Sequence, residues 1–123
     1  MNARITGIVA SALAGIVLVT SLATADEAFE RRGRAIAQSK CARCHAIGVE
    51  GASPVAVAPP FRVLPQRYPV ENLAEALAEG IYVGHPMMPE FKFDPPEIDA
   101  LLAFIEDLAK RAETSRKRPA PLR

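Results

Sequence analysis

Five consecutive residues, Cys41-Ala42-Arg43-Cys44-His45, hold the only two cysteines of a 123-residue chain and one of its two histidines. Two thiols three positions apart, with an imidazole directly after the second, suit several kinds of chemistry. A redox dithiol places Cys-x-x-Cys at a helix start beside a strand, but no strand pattern precedes Cys41 and no βαβ unit surrounds it. Structural zinc wants four ligands, usually from two close pairs. Cys41, Cys44, His45 and His85 make a possible set, yet a second pair is absent. A plain disulfide across so short a loop would stabilise little.

The remaining chemistry is covalent haem, for which Cys-x-x-Cys-His is the attachment signature. Two vinyl groups on one porphyrin edge each take a thiol as a thioether. Cys41 and Cys44, one helical turn apart on the same side, can reach both. His45 then points over the macrocycle and can put its imidazole on the iron.

The rest of the chain sets the compartment. Asn2-Ala3-Arg4 gives a positive start, Ile5 to Leu22 carries no charge, and Ala23-Thr24-Ala25 is a small-residue cleavage pattern followed by acidic Asp26-Glu27. These features describe a signal peptide over residues 1–25 and a periplasmic destination. The alternative is a retained anchor, since the uncharged stretch is long enough to span a bilayer. It would hold the protein to the inner membrane facing the periplasm. The mature chain, 26–123, is small and has no tryptophan. Domains of that size often need extra help to stay folded, and a large apolar cofactor could supply the missing core. Residues 26–109 form the expected domain, with eight basic and thirteen acidic side chains. Residues 110–123 carry six basic and one acidic and read as a disordered, solvated tail, mobile beyond about Glu113, rather than a nucleic-acid-binding arm.

Periodicity predicts three helices. The first spans about 27–39, with Phe29, Gly33, Ile36 and Ala37 on one face; Gly33 makes sense there if another helix crosses closely. The second spans about 70–79, with Leu73 and Leu77 on one face and Gly80 as the stop. The third begins at Asp94 with Pro95 and Pro96 in its first turn, and Ile98, Leu101, Leu102, Ile105 and Leu108 form its stripe, bordered by Phe104. Between them lie a long irregular proline-rich stretch, Gly48 to Pro69, and a loop from Gly80 to Asp94. The class is all-α, three to four helices joined by ordered loops.

With CARCH, VAPPF (Val57 to Phe61), MMPEF (Met87 to Phe91) and the last helix in this order, residues 29–108 resemble a small bacterial class I cytochrome c. The resemblance implies a cytochrome c-like fold around one haem c, attached through Cys41 and Cys44. It implies axial ligands His45 and Met88, the latter chosen by Met-Pro-x-Phe, and a Pro59 carbonyl accepting from His45, with Pro60 as fallback. Gly33 matches the family's close helix crossing against an aromatic, here Phe104. Arg62, Arg67, Tyr68 and Tyr82 are candidates for haem propionates or the ligand loop. The apolar pocket would draw on Ile47, Val55, Val57, Phe61, Val63, Leu64, Ile81, Val83, Phe91 and Leu102. The implied function is one-electron transfer between redox proteins, a dehydrogenase as donor and an oxidase or reductase as acceptor by analogy, with no enzymatic step. A sensor or peroxidase-like enzyme with a labile sixth ligand, or a dithiol or zinc-binding protein, is the rival reading; His85 is a second axial candidate, compatible with electron transfer. The signal-peptide reading predicts that the exported protein begins at Asp26, which its intact mass reports; a mass that retains residues 1–25 contradicts cleavage.

Overall fold

The computed structural model describes residues 26–80 and 87–118. Helix α1 covers 26–40. A 3-10 turn at Phe61–Val63 leads into the single-turn helix α2, Leu64–Arg67. Helix α3 is Val70–Glu79 and helix α4 is Pro95–Lys117. Among the described residues there is no strand, in keeping with the all-α class.

Local chemistry accounts for the helix ends. At the start of α4 the Asp94 N–H donates to Glu97 Oε2 at 3.1 Å, and Pro95 and Pro96 sit where backbone donors have no acceptor within the helix. Helix α3 stops at Gly80, whose φ of 73° is left-handed and whose N–H donates to the Ala76 carbonyl. Only glycine takes that conformation without a steric cost.

The two long helices meet at Gly33. A Cβ added there would overlap the Ala100 carbonyl and lie 2.8 Å from the Phe104 Cβ. Arg34 stands over the Phe104 ring, 5.1 Å from its centroid. Phe104 is fully buried, at the centre of the α4 face rather than on its border as expected. Arg111 ties α4 back to α1 through Glu30 at 2.9 Å. Around this crossing, Ala37, Phe61, Leu64, Leu101, Ile105 and Leu108 pack with Phe104 into one core cluster. Phe29, expected on the buried face of α1, is 41 % exposed.

The structure departs from the sequence reading in two further places. The proline-rich stretch is helical over residues 61–67, because Pro65 falls in the first turn of α2, where its missing N–H costs nothing. Helix α4 runs through Lys117, whereas disorder is expected from residue 110. Sign of charge does not break a helix: residues 110–117 contain neither glycine nor proline, and Lys117 pairs with Glu113 one turn back at 2.6 Å.

Gly33→Ala separates packing from propensity. In an open helix the exchange gains about 1 kcal/mol. Here the overlap with α4 should reverse the sign, a loss of about 1–3 kcal/mol in denaturant unfolding. A stabilised variant would mean that the helices do not meet at Gly33.

Candidate haem site

The CARCH segment grows out of the end of α1. The Cys41 N–H donates to Ala37 O at 2.9 Å, and the His45 N–H to Cys41 O at 2.9 Å. This turn brings both thiols and the imidazole to the wall of a single cavity of about 470 Å³. His45 is buried at 8 % exposure.

The following loop is held by hydrogen bonds rather than by regular structure. Val55 N–H donates to Cys44 O, Ala46 N–H to Ser53 Oγ at 3.0 Å, and Phe61 N–H to Ala46 O at 2.9 Å. The last of these places the Phe61 ring 5.2 Å from the imidazole, tilted by 48°. It also delivers the Pro59 carbonyl to His45 Nδ1 at 2.7 Å. A carbonyl only accepts, so Nδ1 donates, and Nε2 is then the nitrogen that bears a lone pair in the neutral ring. That tautomer is the one that ligates a metal through Nε2, with its orientation set from behind.

Four other elements complete the wall. Phe61 and Leu64 come from the 3-10 turn and α2, Leu73, Ala76 and Leu77 from α3, and Leu101 and Ile105 from α4. The stretch after residue 86 adds Met88, Pro89, Phe91 and Phe93. Phe91 and Phe93 stack at 5.7 Å with 25° between their planes. Met88 lines the cavity, whereas its neighbour Met87 is 69 % exposed.

Of the apolar pocket residues expected from sequence, Val57, Phe61, Leu64 and Phe91 line the cavity. Ile47, Val55, Val63 and Leu102 do not. Leu102 packs against the core cluster instead, since one helical step turns it about 100° from Leu101. Val63 faces a separate groove beside Ala109 and Ala112. Ile81, Tyr82, Val83 and His85 lie outside the described residues. The helical stripes of α3 and α4 had marked Leu73, Leu77, Leu101 and Ile105 as inward-facing, but a stripe does not say whether it meets a helix or a cavity.

Charge at the cavity is one-sided. Lys40 and Arg67 are lining residues, and no carboxylate is among the described ones. Arg62, an equal candidate by sequence, is committed elsewhere, donating to Gly51 O at 2.7 Å and Gly48 O at 3.3 Å. Burial, reinforced by the neighbouring Cys44, pushes the Cys41 thiol up to about 11. Cys41 therefore sits as a neutral thiol at ordinary pH. Among the described residues no group of three or more His, Cys, Asp or Glu could hold a metal ion.

The residues present fit a haem. Two thiols edge an apolar slot, an oriented imidazole lies on its wall, and the cations Lys40 and Arg67 line the same cavity, as partners for carboxylate side groups. Comparison with curated proteins and with solved structures returned no significant match. Residues 30–109 match the family model described as Cytochrome c. That span runs from the first turns of α1, through CARCH and its carbonyl-oriented imidazole, to the α4 stripe that walls the cavity, and the chain belongs to the cytochrome c family of covalent haem-binding electron carriers.

Proposed function

We propose that the chain carries single electrons in the periplasm, with iron held between His45 and Met88. The observation that carries this reading is the placement of Met88 on the wall it shares with His45, while Met87 points to solvent. Haem bound in the cavity supplies the one-electron couple. Cys41 and Cys44 hold it through thioethers, and Pro59 keeps the His45 ring from turning. Met88 contributes a soft, neutral thioether that favours the ferrous state and raises the potential. With His45 and Met88 both holding the iron, no place would be left there for substrate, and the apolar wall would exclude water and limit reorganisation.

Arg67 and Tyr68 lie at the cavity and are the residues to meet propionates; Arg62 is not, given its bonds to Gly48 and Gly51. Partners are redox proteins, a dehydrogenase as donor and an oxidase or reductase as acceptor. Export rests on the pattern of residues 1–25, which lie outside the described residues. No helix among the described residues is long and apolar enough to cross a membrane.

Two measurements test the reading. On a haem-stained denaturing gel, wild-type protein should keep its stain, and Cys41→Ala with Cys44→Ala should lose it together with most folded protein. Met88→Ala should abolish the far-red absorption band of Met–Fe ligation, lower the potential strongly, and raise ferric affinity for imidazole by more than about tenfold, since no internal ligand then competes. Met87→Ala should leave all three near wild type. Loss of the band with Met87→Ala alone would move the ligand by one residue, and its persistence in both would leave methionine out of the site.

A further inference from the structure

The Leu77 carbonyl belongs to the last turn of α3, where helix carbonyls have lost their partners. In a continued helix the N–H four residues on would take it. Instead it accepts from the Phe93 N–H at 3.0 Å. The chain between α3 and α4 is thus tied at its base by a backbone hydrogen bond, five residues after Met88. From that tie, Phe93 is buried and stacks on Phe91, and both line the cavity with Met88 and Pro89.

What leaves the Leu77 carbonyl to Phe93 is the turn at Gly80. Its φ of 73° ends the helix by sending the chain out of α-helical register. Gly80 is also buried, and the Glu90 carboxylate occupies the space beside it, 2.7 Å from where a Cβ would stand. We propose that Gly80 is a positioning residue for the sixth ligand: by stopping α3 in a left-handed turn it reserves the Leu77 carbonyl for Phe93 and so holds the Met88 limb against the cavity. This rests on Met88 as the axial ligand. Alanine at position 80 disfavours the left-handed turn and favours another helical residue. The carbonyl would then be taken from within the helix, and the limb would lose its tie.

The test is an imidazole titration of the ferric holoprotein, with the far-red band followed alongside. Gly80→Ala should raise imidazole affinity by about fivefold to tenfold and weaken the band, because the Met88-bound fraction falls. Gly80→Asn should shift the affinity less than Gly80→Ala, since asparagine tolerates left-handed backbone while both side chains displace the same Glu90 carboxylate. Gly51→Ala is the control for strain alone: its φ is 91° with no atom near a Cβ, so it should lower thermal stability and leave imidazole affinity unchanged. An equal shift in Gly51→Ala and Gly80→Ala, or in Gly80→Asn and Gly80→Ala, overturns the proposal. Should Gly80→Ala not fold, amide exchange at Phe93 in the wild-type holoprotein decides: slow exchange supports the tie, and exchange as fast as an open loop overturns it. Met88→Ala in the same titration reads the ligand assignment separately. No rise there removes that assignment and the proposal with it, whereas a rise there with none in Gly80→Ala removes only the role of Gly80.

Discussion

The close approach of α1 and α4 at Gly33 sets the frame on which the cavity depends. The CARCH turn begins eight residues after Gly33, about 12 Å along a helix, and the Leu101 and Ile105 wall follows directly after Ala100. Any side chain at position 33 would therefore move one wall relative to the thiols on the other. The flanking contacts are secondary in size. The exposed Arg111–Glu30 pair contributes at most about 1 kcal/mol, so burial of Ala37, Phe104 and Leu108 at the crossing carries the association.

Seen from this frame, the domain is a shell of apolar side chains that only partly meet one another. α3 contacts α4, yet Leu73 and Leu77 line the cavity together with Leu101 and Ile105. Apolar surface left facing a slot contributes little until something apolar fills it, at roughly 25 cal/mol per Å² removed from water. A small chain without a disulfide framework can stay folded in this way by making its cofactor part of its core. The same apolar wall disfavours water near the redox centre.

Irregular backbone supplies the orientation. His45 is turned by Pro59, which is itself placed by the Phe61 N–H on Ala46 O. Met88 is approached through Phe93 and the carbonyl of Leu77. In each case a residue with no chemistry of its own fixes the backbone beside a cavity-lining side chain. Proline suits the first task because its fixed φ restrains the loop, and glycine suits the second because it alone turns a helix left-handed without strain.

Much of this was legible from residues near one another in the chain. The spacing of Cys41, Cys44 and His45, the start of α4 at Asp94, the stop of α3 at Gly80 and the glycine kept inside α1 are local encodings, since a turn, a cap or an attachment motif needs only neighbours. Resemblance to the family added Pro59, and the structure places its carbonyl on His45. Tertiary structure decided what no local pattern contains: that Arg62 serves the Gly48 and Gly51 carbonyls while Arg67 reaches the cavity, that Leu101 rather than Leu102 forms the wall, and that α4 continues to Lys117. The physical reason is that a stripe of apolar residues records only that a face is buried. What buries it depends on where the other elements come to rest, and that follows from contacts such as Gly33 with Ala100, made by residues far apart in the chain.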